Sequence, residues 1–289
     1  MRDTNQAIIR GAAIVAEEAD ASTIILAGWL PDERRQLQAL LRDRRVISAR
    51  RPGADPRSLD DGEMLNLPQV RLRRRGRAKI ALLEALASGM LNPGERVVVI
   101  SGDAANGDVQ LDTIAVMDLD GESAGDNGLG PLALLRQAAD PASFDAVLTM
   151  CVDIGHDGRE GKPVGLLVTL GDHDTVLRRS HPLVLNPFAG HDEAARSIMN
   201  ASGRRALQEF SGMDGAFIIR SDGVILAGGR YLQDVGSPTS VPAGLGARHR
   251  AAAGITGSTA SIAFCVSESN GDTRVFGGGR LLMTIERND

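Results

Sequence analysis

The chain has 289 residues with 32 basic and 37 acidic ones and a formal charge of −5; this mild acidity, with Lys and Arg mostly scattered, argues against general affinity for nucleic acid. Cys151 and Cys265 stand far apart without CxxC or His spacing, so neither a disulfide framework nor a structural zinc site is indicated. No signal-type apolar run opens the chain and no later segment approaches the length of a membrane span, so the expectation is a soluble protein of the reducing cytoplasm, long enough for two domains.

The first part alternates. Apolar residues at helical spacing predict a helix over Asn5–Ala19, the run "STIILAG" a strand over Ser22–Gly28, and a charged helix follows over Asp32–Asp43. A short strand "RVISAR", a helix over Ala78–Gly89 and the buried-type strand "RVVVISG" (Arg96–Gly102) continue the pattern. Such alternation predicts a layered α/β domain with a mostly parallel sheet. "DGESAGDNGLG" (Asp120–Gly130) has almost nothing to bury and is the candidate linker.

Beyond it, "FDAVLTMCVDIG" predicts a helix, "PVGLLVTLG" a strand, and "EAARSIMNASGRRALQEFS" (Glu193–Ser211) another helix. "DGAFIIRSDGVILAGG" holds two apolar runs joined by an Asp-Gly turn signal, which predicts a hairpin. "ASIAFCVSES" and "TRVFGGGRLLMTI" form a second pair joined at "NGD". This half is expected to be a mixed sheet with surrounding helices.

Most glycine patterns lead nowhere. "GDAANGDV" has two glycines at P-loop spacing, but Asp108 and Val109 stand where Lys and Ser or Thr belong, so it is read as a turn. "FGGGR" is read as a bulge or hairpin, and "GDHD" has metal-capable side chains without a partner at ligand spacing. "RLRRRGRAK" (Arg71–Lys79) could bind an anion but is read as a solvated helix start or a subunit contact. "GLGARHR" (Gly244–Arg250) is different: three cationic or protonatable groups repel one another unless something negative sits among them, and this predicts a phosphate-bearing ligand. With the carboxylate of "MDGAFII" and the hydroxyl and carboxylate of "SES" (Ser267–Ser269), each expected at a strand edge, it makes a candidate nucleotide and metal site.

These stretches in this order, "DGAFIIRSDGVILAGGRYL", "GLGARHRAAAGIT" and "IAFCVSESNGDTRVFGGG", closely resemble the diadenylate cyclase family, whose hallmarks are Asp-Gly-Ala and Arg-His-Arg. "GHDGREGKPVGLLVTLGD" and "LNPFAGH" resemble that family's entry segment. The first half resembles the C-terminal α/β domain of pyruvate kinase, as fused to some archaeal-type members. The resemblance implies domains at 1–125 (regulatory or oligomerising) and 140–289 (cyclase). It implies condensation of two ATP into the second messenger cyclic di-AMP and two pyrophosphates, with Mg²⁺ or Mn²⁺, across a face-to-face homodimer, without nucleic acid or membrane partners. The alternative is an inactive module that senses ATP or cyclic di-AMP.

Residue by residue, the resemblance implies that Asp214 lies by the attacking 3′-hydroxyl and binds the metal. Arg248, His249 and Arg250 would neutralise the triphosphate and the leaving pyrophosphate. Gly215 would let the backbone approach the nucleotide, with Ala216 and Gly246 in contact with it too. Tyr231 and Leu232 would offer adenine a flat surface, and Ser267 and Glu268 would meet phosphate or metal. Two departures stand out: Ala247 where many members have Thr, and Ser269 where many have Glu. The effector loop of an allosteric pyruvate kinase is not apparent at "AGWLPDE", so no effector is carried over.

Overall fold

The computed structural model describes residues 2–27, 30–41, 43–50, 63–67, 74–92, 94–105, 108–119, 138–159, 161–233 and 246–287. The chain divides into two units, Met1–Ala124 and Gly125–Asp289. The candidate linker and the tip of "GDAANGDV" (106–107) lie outside the described residues, as do Gly28 and Trp29 of "AGWLPDE".

The first unit contains α1 (Arg2–Glu18), β1 (Thr23–Leu26), α2 (Pro31–Leu40), β2 (Arg45–Arg50), β3 (Met64–Asn66), α3 (Arg74–Ala87), β4 (Arg96–Ala105) and β5 (Asp108–Asp118). Its sheet runs β3-β2-β1-β4-β5. The first four strands are parallel and β5 returns antiparallel to β4. Every residue of β1 is buried, as a central strand covered on both faces requires. Ile24, Leu26, Val46, Val98 and Ile100 pack with Ile9, Ala12 and Ala16 of α1 and Leu37 of α2. The mostly parallel α/β expectation is borne out. β3 was not expected because only Leu65 of its three residues is buried; β5 was not expected because most of its described residues are half-exposed or exposed. "GDAANGDV" is more than a turn, since Gly102–Ala105 and Asp108–Val109 pair within strands. α3 starts within the basic cluster, at Arg74, but Arg77 is not solvated: it is buried, and its guanidinium donates to the carbonyl of Gly102.

The second unit contains α4 (Pro141–Asp157), β6 (Leu166–Leu170), α5 (His173–Arg178), β7 (Ser180–Pro182), α6 (Ala201–Phe210), β8 (Ala216–Ile219), β9 (Ile225–Leu232), α7 (Ala247–Ser258), β10 (Ile262–Val266), β11 (Thr273–Gly277) and β12 (Arg280–Ile285). The seven strands run β12-β11-β10-β6-β8-β9-β7. Only β6 and β8 pair in parallel, so the sheet is mixed, as expected. Because strand side chains alternate, Phe264 of β10 meets Phe144 of α4 at 5.3 Å between ring centroids, while Ala263 and Cys265 face α7 with Ala252, Ala253 and Ile255.

The Asp-Gly hairpin forms: Gly223 takes φ +89° and Asp222 Oδ1 accepts from the amide of Val224. Two expectations are corrected. "TRVFGGGRLLMTI" is two strands and not one, folded back at Gly278 and Gly279 with φ +57° and +77°, the conformation of a tight primed hairpin turn, so the hairpin reading of "FGGGR" holds. Residues 193–200 are not helical: Ser197 bridges to Val224, Arg196 donates to the carbonyl of Ile225, and Asn200, in extended conformation, starts α6. Tertiary contacts with the β8–β9 hairpin override the helical spacing there.

Candidate functional site

A cleft of about 650 Å³ opens on the α7 face of the second sheet. It gathers the end of the turn before β8, the end of β9, the first turn of α7 and the residues just after β10. All the sequence-predicted site residues line it: Asp214, Gly215, Ala216, Tyr231, Leu232, Gly246, Arg248, His249, Arg250, Ser267 and Glu268. The expected strand edge is replaced by a helix start for the described part of "GLGARHR", Gly246–Arg250; Gly244 and Leu245 lie outside the described residues. Gly246 is the N-cap of α7, extended and with no side-chain cap, and it lines the cleft together with the first turn of the helix. Uncapped amides together with the helix dipole favour an anion at this point.

Arg248 reaches across the cleft. Its Nη1 lies 2.9 Å from Glu268 Oε2 and its Nη2 3.9 Å from Asp214 Oδ1. The Asp214 side chain is 91% exposed, an accessible carboxylate. Ser267 is buried and its hydroxyl lies 3.1 Å from that of Ser269. Arg250 is exposed on the same turn, and its amide closes that turn onto the carbonyl of Gly246.

His249 departs from the expectation of a third cation. It is 7% exposed. Burial first, then Arg274 and Arg248, push its pKa down from 6.5 to about 4, so the ring is neutral at pH 7. Its Nε2 sits 3.1 Å from Arg274 Nη1, and its Nδ1 is buried without a hydrogen-bond partner. Arg274 is in turn held by Asp272 at 3.2 Å.

Gly215 and the pair Tyr231 and Leu232 are both placed by β9. Gly215 has φ +99°, and a Cβ there would meet the backbone of Gly229 and Arg230 at 2.7 Å. The space freed by its missing side chain is taken by β9, while the residue itself lines the cleft. Tyr231 and Leu232 leave β9 on opposite faces, and both line the cleft. Leu232 is buried in the apolar floor with Leu167 and Ala216, whereas Tyr231, opposite His181, stacks with it at 5.0 Å.

Several contributors escaped the sequence reading. A Cβ at Gly165 would stand 2.5 Å from Arg248 Nη1, so this glycine makes room for the Arg248–Glu268 pair. Arg230, lining the cleft, is committed to structure through Ser180 Oγ and the carbonyls of Ser180 and Leu177. Arg274 and Asp272 flank the "SES" stretch, but nothing in the spacing signals that they meet His249. "GDHD" shows no metal geometry: Asp172 Oδ2 accepts from the amide of Ala260, and among the described residues no three His, Cys, Asp or Glu side chains form a metal-holding group. Asp214 and Glu268, both lining the cleft and both within reach of Arg248, are oxygen donors of the type a divalent cation such as Mg²⁺ takes alongside phosphate oxygens and water. Cys151 and Cys265 are free and buried, with thiols pushed upward by burial, Cys265 to about 12. Among the described residues, no helix is long and apolar enough to cross a membrane.

Comparison with known proteins matches residues 153–281 to the family "DAC: DisA bacterial checkpoint controller nucleotide-binding" and residues 2–123 to the family "Probable sensor domain DacZ_P". A diadenylate cyclase of Methanocaldococcus jannaschii is 35% identical over 205 residues, 71% of this chain and 64% of that protein. One of Haloferax volcanii is 39% identical over 149 residues, 51% of this chain and 54% of that protein. The chain thus spans less than two thirds of the length of these relatives. Among solved structures, a double mutant of DacA from Staphylococcus aureus aligns with 50% of this chain and 85% of its own at 23% identity and a TM-score of 0.34.

Proposed function

From the premise that the second unit of this chain belongs to the diadenylate cyclase family, we propose that the chain condenses two ATP into cyclic di-AMP and two pyrophosphates. The observation that carries the reading is the convergence of four separated stretches, 214–216, 230–232, 246–250 and 266–269, on one cleft at an uncapped helix start. A cleft of about 650 Å³ is of the size that holds one small ligand.

In this reading the triphosphate lies at the first turn of α7, where backbone amides, Arg248 and Arg250 oppose its charge. The 3′-hydroxyl oxygen of each ATP attacks the α-phosphorus of the other. A new P–O bond forms as the bond to the bridging oxygen breaks, and pyrophosphate leaves with the electron pair. Arg248 and Arg250 stabilise the charge growing on that leaving group. Asp214 lies beside the attacking hydroxyl and lowers the cost of its deprotonation. Mg²⁺ or Mn²⁺, held by Asp214 with Glu268 nearby, would supply further neutralisation of phosphate charge. Since one cleft takes one nucleotide, two chains must face each other, so the smallest active unit is a homodimer. The first unit is regulatory or oligomerising, and the buried thiols and the ATP substrate suit the cytoplasm.

Incubation with ATP and Mg²⁺ or Mn²⁺ followed by chromatography tests the reading. Cyclic di-AMP and pyrophosphate are expected; bound but unconverted ATP would point to a sensing module instead. Asp214→Asn keeps the size and removes the charge, and is expected to abolish nearly all product with the fold intact by circular dichroism.

A further inference from the structure

We propose that Arg274 is a positioning residue that fixes His249 as the neutral tautomer protonated at Nδ1, so that this histidine serves the cleft as an uncharged hydrogen-bond donor. The proposal rests on the cleft being a phosphate-binding site and adds a residue outside the motifs that define it. A guanidinium has only donors. With Arg274 Nη1 at 3.1 Å, His249 Nε2 must offer its lone pair, and a neutral imidazole then carries its single hydrogen on Nδ1.

Arg274 is not free to turn elsewhere. Its side chain and that of Asp272 are each only 14% exposed and paired at 3.2 Å. Asp272 is itself fixed by Asn270 Nδ2 at 2.7 Å and by the amide of Arg287 at 3.1 Å. The β10–β11 turn therefore dictates which ring nitrogen of a histidine on α7 bears hydrogen.

The charges around the ring agree. Arg274 from β11 and Arg248 from α7 itself both oppose protonation, and the Cys265 thiol on β10 stays neutral. Phe276 of β11, 6.2 Å away between centroids, adds an apolar neighbour. A ring flanked by two arginines cannot usefully hold a third positive charge, yet Nδ1 is buried and unsatisfied, a costly state for a donor. His249 lines the cleft, so an oxygen of the bound anion, reached as the first turn of α7 adjusts around it, is the partner that would satisfy Nδ1.

The full chain labelled with ¹⁵N-histidine tests this, the His249 signal being identified by its loss in His249→Asn. At pH 7 Nδ1 should resonate as a protonated nitrogen and Nε2 as an unprotonated one, without titration from about pH 8 to about pH 5.5. A hydrogen on Nε2, or a cationic ring at pH 7, overturns the proposal. Arg274→Met should mix the tautomers and raise the ring's pKa, and Arg274→Lys, still a donor, should keep the Nδ1–H form; an unchanged tautomer in Arg274→Met overturns it. Should Arg274→Met not fold, two substitutions at 249 decide. Asn carries an N–H near the position of Nδ1 and Gln one near Nε2. His249→Asn is expected to keep kcat/KM for ATP about tenfold above His249→Gln; equal losses overturn the proposal. If the wild-type chain makes no cyclic di-AMP, the proposed function falls, while the spectra and the ATP affinities of the same variants by calorimetry still decide the tautomer.

Discussion

As pH falls through the range in which an unfolded histidine takes up a proton, His249 stays neutral in the folded chain. Its folded pKa is about 4 against an ordinary 6.5, so within that window the unfolded state binds more protons. The stability gained by burying the neutral ring is complete above about pH 6.5 and is lost as pH falls toward 4. Urea midpoints measured across this window should fall more steeply for the wild type than for His249→Asn; parallel curves would contradict the depressed pKa. Arg248 and Arg250 act on charge that develops during reaction, so Arg248→Ala and Arg250→Ala should each reduce kcat by about 100-fold to 1,000-fold, or ~2.7–4 kcal/mol. Unchanged kinetics in both would make the basic cluster structural. At this scale the chain was legible where chemistry is concentrated in short motifs, as at Asp214, Arg248 and Glu268. It was not legible for Arg274, whose role arises only because the β10–β11 register places it beneath α7.

Two glycines of the second unit separate the demands of folding from those of the cleft. At Gly215 a Cβ would meet backbone, in a left-handed conformation that alone costs ~1–3 kcal/mol for other residues. At Gly165 a Cβ would meet the far end of the Arg248 side chain, which can swing aside, though not while keeping its bond to Glu268. Gly215→Ala is therefore expected to lower the thermal midpoint clearly, and Gly165→Ala to leave it nearly unchanged while reducing turnover. The reverse pattern would mean that the crowding at these two positions has been misassigned. Strongly periodic or wholly apolar segments, such as β1, α4 and β10, were readable because burial dictates their pattern. The stretch 193–200 was not, since its fate depends on a hairpin some 25 residues later.

In the whole molecule, a reaction that needs two nucleotides facing each other makes specific activity depend on how many chains are paired. A first unit that holds chains together raises the effective concentration of the clefts. Removing Met1 to about Gly130 should then depress activity more in dilute than in concentrated protein. Activity per chain over a wide dilution series, for the full chain and the truncation, reads this out; constant specific activity in a monomer would refute the two-cleft mechanism. Every described residue that lines the cleft belongs to the second unit. A bound nucleotide lowers the population of opened forms only where its binding energy is coupled. Saturating ATP should slow protease cutting after residue 165 while leaving the rate of cleavage in the first unit as it was.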